Sequence, residues 1–247
     1  VYRLGVIEAS KKYMGHIFNR KNKRNEKNGI TDGNIIFKDV KFRYDTEKED
    51  WLFTDLNVHF EAGQRYAIVG QSGSGKTTMM KMLAGLYVPE RGSIYIDNLD
   101  IKNADLEYLR ENVNYMNQRT TLFNETILYN MQYGNPDVTE EQIVDMLKKY
   151  DLLDVFNGLP DGIHANAGIQ GGNLSGGMQR VTMLIRGLLK PGQIVIMDEP
   201  TTGLDKKSTD KVKKLILEET EGKTLIIITH SSVMLSSMRV LDIKNVS

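Results

Sequence analysis

Gly70-Gln71-Ser72-Gly73-Ser74-Gly75-Lys76-Thr77 is the stretch that decides the fold of this chain. It fits the pattern G-x-x-x-x-G-K-[ST] of a loop that wraps phosphate in backbone N–H groups. The apolar run Tyr66-Ala67-Ile68-Val69 precedes it, and a helix-like run from Thr77 to Leu86 follows. In that strand–loop–helix context, successive N–H groups and a helix N-terminus converge on an anion. Lys76 would reach the β- and γ-phosphates, and the Thr77 hydroxyl would ligate Mg²⁺. The bland reading, a Gly/Ser turn beside a surface lysine, does not account for all eight positions.

Downstream, Ile194-Val195-Ile196-Met197 is an uninterrupted apolar run ending in Asp198-Glu199-Pro200. Carboxylates at the carboxyl end of a buried parallel strand lie where such sheets bind ligands. Asp198 would hold the Mg²⁺ shell, and Glu199 could polarise a water for in-line attack on the γ-phosphate. A polar exit from a buried strand is a common alternative for this triplet taken alone. The runs Ile35-Ile36-Phe37, Val40 to Tyr44 and Leu56 to Phe60 alternate like half-buried strands, and Ser93–Asp97 and Asn112–Met116 read as further short strands. Helix formers dominate from Thr126 to Phe156, with Thr139 as an N-cap. A helix from Ser175 to Leu189, another from Lys206 to Glu219 and the strand Leu225–Ile228 complete a β/α alternation. Apolar strands alternating with helices indicate a parallel sheet covered on both faces.

Composition narrows the class. The chain has 247 residues, enough for one large domain or two intimate ones. Its 32 basic and 32 acidic residues balance, so no global field points to nucleic acid. It has no cysteine, which excludes disulfides and thiolate metal sites and fits a reducing compartment. The four histidines lack zinc spacing. No eighteen-residue apolar run spans a bilayer, and no signal peptide is visible. Asn19 to Asn34 is basic and Asn-rich and reads as a solvated linker, with an anionic contact as the alternative.

A third motif, Asn173-Leu174-Ser175-Gly176-Gly177-Met178, places Ser-Gly-Gly ahead of a helix. Alone it reads equally as a flexible turn or as a helix N-terminus offered to phosphate. The order of G-Q-S-G-S-G-K-T, Gln118, L-S-G-G-M, I-V-I-M-D-E-P, T-T-G-L-D and T-H resembles the ATP-binding cassette of ABC transporters from about Ile35 to Ile243. That resemblance implies a P-loop NTPase of the α/β class: a RecA-like parallel core, an antiparallel β subdomain and an inserted helical subdomain at about 119–185. It implies that Tyr44 stacks on adenine and that Gly70, Gln71, Ser72, Gly73, Ser74, Gly75, Lys76, Thr77 and Thr78 hold ATP. It further implies that Gln118 contacts Mg²⁺ and water, alongside Thr77 and Asp198. Ser175, Gly176 and Gly177 would bind the γ-phosphate held by an opposite cassette, with Asp205 in the loop crossing that interface. Glu199, His230, Lys76 and Gln118 would form the catalytic set.

Within the family, Thr121 to Ile127, Tyr129 to Gly134 and Leu159-Pro160-Asp161-Gly162 look like exporter cassettes. Val1 to Phe18 looks like the cytoplasmic end of a final transmembrane or connecting helix, which suits a chain cut from a larger transporter. Two departures stand out. Gly168 to Gly172 replaces the usual Glu-Arg pair before the signature, and Met178 replaces its glutamine. The implied partners are a second cassette, head-to-tail, and transmembrane domains, on the cytosol-like face of a membrane; nucleic acid is not expected. The alternative is a soluble cassette ATPase acting on ribosomes or DNA, for which the basic linker is the sole support.

Overall fold

The computed structural model describes residues 29–47, 50–118 and 120–243. The terminal helix expected at 1–18 and the linker to residue 28 lie outside the described residues. The chain begins with strands β1 (Ile35–Phe42), β2 (Phe53–Phe60) and β3 (Arg65–Val69), followed by helix α1 (Lys76–Leu83). Next come β4 (Arg91–Ile96), β5 (Leu99–Asp100), α2 (Leu106–Asn112) and β6 (Val113–Met116). Helices α3 (Ile127–Gln132), α4 (Glu140–Lys149) and α5 (Gly176–Leu189) follow, with three short 3₁₀ turns between α4 and α5. The series closes with β7 (Ile194–Asp198), α6 (Lys206–Glu219), β8 (Thr224–Ile228), α7 (Ser232–Leu235) and β9 (Arg239–Asp242).

Two sheets result. One is antiparallel in the order β2-β1-β4-β5, and the other has the order β6-β7-β8-β3-β9, with all pairings parallel. The apolar runs at 35–37 and 40–42 belong to one strand, which ends at Phe42, so Arg43 and Tyr44, read as part of the second run, lie beyond it. Asp39 lies at φ 51 and the register with β2 shifts between Phe37 and Val40. This bulge lets Phe37 and Val40, three apart, both enter the core. Opposite it, Gly92 at φ 78 has no room for a Cβ against the Asp39 carbonyl.

Strands β7 and β8 are buried throughout and serve two cores by alternation. Ile194, Ile196, Ile226 and Ile228 pack with the antiparallel sheet and Met79, Met80 and Leu83 of α1. Val195, Met197, Leu225 and Ile227 pack with α5, α6 and the helical insert. Each fully buried aliphatic side chain is worth about 1.5–3 kcal/mol, so this sheet holds its carboxyl edge rigidly.

Thr139 caps α4 as its sequence indicates, in a capping box with Gln142, and Thr126 caps α3. Arg186 of α5 donates to the Asn130 and Thr121 carbonyls and lies over the Phe123 ring, tying α5 to α3. Short elements α2, β5, α7 and β9 were not expected from periodicity, because each is too brief to display one.

The solvated linker read through Asn34 differs at its end. The Asp97 carboxylate accepts hydrogen bonds from the N–H groups of Thr31, Asp32, Gly33 and Asn34 at 2.8–3.2 Å. Ile30 is buried, and its N–H donates to the Tyr108 hydroxyl. Burial would raise the Asp97 carboxyl, but the four N–H groups win and hold it below the ordinary value. Residues 30–34 are therefore tied to the domain rather than solvated. Among the described residues no helix is long and apolar enough to cross a membrane.

Candidate functional site

The loop from Gly70 to Gly75 leaves β3 and feeds directly into α1. Gly75 lies at φ 93 beneath the Phe53 ring, where a Cβ would collide with ring carbons. Glycine is therefore required here for both conformation and space. Helix α1 has no side-chain cap and no acidic residue in its first turn. Helices α2 to α6 are each capped by a side chain: Asp105, Thr126, Thr139, Ser175 and Asp205 in turn. The open first turn of α1 thus keeps its N–H groups and dipole for an outside anion. Inside the loop, the buried Ser74 Oγ has no hydrogen-bond partner among the described residues. Lys76 folds inward, its Nζ donating to the carbonyls of Gly70 at 2.8 Å and Gln71 at 2.7 Å. Phosphate oxygens would offer that ammonium stronger, charge-assisted acceptors.

The two candidate metal residues meet: Thr77 Oγ1 donates to Asp198 Oδ2 at 2.9 Å, across 121 residues of sequence. Asp198 closes β7 and is 8% exposed. No group of three or more His, Asp or Glu side chains among the described residues forms a cage for a metal. A hydroxyl and one carboxylate beside a phosphate loop instead suit Mg²⁺, which keeps waters and takes phosphate oxygens as ligands. The residues present fit that cation.

Glu199 follows at φ 53, a left-handed backbone that costs a non-glycine residue roughly 1–2 kcal/mol. Its N–H donates to the Ile228 carbonyl at 2.9 Å, which fixes the turn. Its carboxylate accepts from Thr202 Oγ1 at 3.2 Å and faces His230 Nε2 at 3.9 Å. The His230 side chain is 64% exposed, so its ring is free to turn toward a ligand. Arg180, one and a half turns into α5, is half-buried; burial lowers its pKa while the charge of Glu199 opposes that. This cation facing Glu199 was missed in the sequence, where only its place five residues after Ser175 could have drawn notice.

Tyr44 is 60% exposed; its ring meets Phe42 and Tyr87 edge-on, and its hydroxyl bonds to Thr78 Oγ1. An aromatic face is thus fixed beside the first turn of α1. Gln118 lies in the exposed turn after β6. Ser175, Gly176, Gly177 and Asp205 are not brought to the Lys76 group. Ser175 Oγ accepts from the Met178 N–H at 3.3 Å, and Asp205 accepts from the N–H and hydroxyl of Ser208. Ser175, Gly176 and Asp205 are exposed. Met178 turns inward against the helical core rather than outward.

A profile described as "ABC transporter" matches residues 53–202, more than half of the chain. The "Heavy metal tolerance protein" of Schizosaccharomyces pombe is 36% identical over 201 residues, covering 81% of this chain and 24% of that protein. The "ATP-dependent lipid A-core flippase" of Francisella novicida is 36% identical over 200 residues, covering 81% and 33%. Among solved structures, a bacterial Atm1-family ABC exporter with ATP bound matches at TM-score 0.79 and 30% identity. That match covers 86% of this chain and 37% of the exporter chain. The chain therefore spans a third or less of the length of these curated relatives.

Proposed function

This chain belongs to the ABC transporter family, and from that premise we propose that it is the ATP-binding and hydrolysing cassette of an exporter. The observation that carries the reading is the Thr77–Asp198 hydrogen bond at the mouth of the uncapped helix α1, with Glu199 and His230 alongside. In this account Tyr44 stacks on adenine, while Gly70 to Thr78 wrap the phosphates. Lys76 releases the Gly70 and Gln71 carbonyls to bind the β- and γ-phosphates. Thr77, Asp198 and Gln118 would hold Mg²⁺, which would supply charge neutralisation to the phosphates. Glu199 orients and activates a water, and His230 holds the γ-phosphate in line. Positioning and charge stabilisation supply the rate.

The site is half of a composite. Ser175, Gly176, Gly177 and Asp205 of one cassette would cover the phosphates held by Lys76 of another, head-to-tail. ATP then closes the pair and hydrolysis opens it, a population shift passed to transmembrane domains at the cytosol-like face of a membrane. The relatives include a lipid flippase and a metal-tolerance protein, and they favour export over action on ribosomes or DNA. Replacing Glu199 with Gln should abolish turnover and leave an ATP-trapped dimer in size-exclusion chromatography. Unchanged steady-state turnover would refute the catalytic assignment.

A further inference from the structure

We propose that the Tyr115 hydroxyl is a positioning group for Asp198, engaged only when nucleotide and cation are bound; this rests on the cassette reading above. Two buried side-chain oxygens lack a hydrogen-bond partner among the described residues, Ser74 Oγ and Tyr115 Oη. Ser74 belongs to the phosphate loop. Tyr115 has no place yet in the site.

Its position is fixed by topology. Tyr115 pairs with Ile196 of β7, two residues before Asp198. It packs on the sheet face that carries α1, whereas Met116 packs on the α5 face. The phenol therefore lies on the nucleotide side of the sheet. Burial first, and then the charge of Asp198, push its pKa well up, so the hydroxyl remains protonated and able to donate. A buried hydroxyl normally finds a partner, because leaving it unpaired forfeits its desolvation cost.

Asp198 explains what is missing. One of its oxygens accepts from Thr77. The carboxylate lies two residues beyond Ile196, the strand partner of Tyr115, and its charge raises the phenol's pKa, yet the two make no direct hydrogen bond. A cation held by Thr77 and Asp198 would bring water beside the phenol, since Mg²⁺ keeps part of its hydration shell in protein sites. Such bridging is nearly as favourable as direct contact. The hydroxyl then steadies the carboxylate from the β6 side while Thr77 steadies it from α1.

The test is Tyr115→Phe, which removes one oxygen and keeps the ring. Calorimetric ATP titrations of the whole protein in EDTA should match wild type. In the presence of ATP, the Mg²⁺ concentration for half-maximal binding should rise about three- to tenfold. Without ligand, the melting temperature should be unchanged or higher, because an unpaired hydroxyl has gone. A merely structural tyrosine would move that temperature down and leave Mg²⁺ dependence alone; either result would overturn the proposal. Tyr115→Met, apolar and without the hydroxyl, should show the same Mg²⁺ loss. Asp198→Asn separates the layers: if it keeps wild-type Mg²⁺ dependence, the cation site itself is misplaced, whatever Tyr115 does.

Discussion

The mouth of α1 and the start of α5 are both glycine-rich loops entering helices, and they are finished in opposite ways. At α1 the cap is missing, the loop serine has no partner among the described residues, and distant residues arrive beside it, Asp198 foremost. At α5 the serine caps its own helix, and the two glycines after it meet no phosphate-binding group of the same chain. The first region is assembled by the fold of one chain; the second offers a surface. An incomplete half beside a complete one is what a site shared between two copies requires.

Mutations at each region should separate these roles. The largest effect is expected at Lys76. Lys76→Ala removes the ammonium from the phosphates, and turnover should fall on the order of 10²–10³-fold. ATPase assay alongside nucleotide titration checks this, and binding should weaken as well. Ser175→Arg should next lower turnover by roughly 10–100-fold without weakening ATP binding to the isolated cassette. In mixed dimers with Lys76→Ala, the composite model predicts one fully disabled site and one intact site. Simple averaging of the two parent rates would break the comparison.

Tyr44→Ala should weaken ATP binding about tenfold, in line with roughly 1–3 kcal/mol for stacking on one base. Binding of inorganic triphosphate should stay the same, which shows whether the aromatic face reads the base. The smallest effect belongs to a residue remote from both loops. Asp97→Asn keeps a side-chain oxygen but loses the charge that four N–H groups share, and should cost about 1–2 kcal/mol of stability. Because its carboxyl is held low, that contribution is full above the ordinary value of 3.8 and is lost as pH falls through the lower folded value. Denaturant melts of the two proteins should therefore differ near neutral pH and converge in acid. ATP affinity should not change.

The phosphate loop, the carboxylates at the end of β7 and the β/α alternation were legible because each is local. A loop pattern, a buried run of isoleucines and a helix cap are written in neighbouring residues. The helical signature of the insert was likewise visible in Thr139 and the residues after it. Arg180 was marked only by its place five residues after Ser175 and Tyr115 by nothing near it, because each meets its carboxylate, Glu199 or Asp198, from a different element. The bulge at Asp39 was read as a break between strands, since alternation alone cannot distinguish a bulge from a turn. The clamp on residues 31–34 escaped for a similar reason: its acceptor is Asp97, more than sixty residues away.

By itself, then, the sequence determined which groups this protein offers as candidates for phosphate, cation and water, and the α/β frame that carries them. Those follow from short-range patterns, in which glycine freedom, helix ends and strand burial act within a few residues. Tertiary structure decided which of these groups meet. The parallel pairing of β6, β7 and β8 beside α1 brings Asp198 to Thr77 and Glu199 to His230 and sets Tyr115 on the same face as Asp198, while Ser175 and Asp205 stay exposed. Proximity across a hundred residues is a property of sheet order and packing, and no local pattern encodes it.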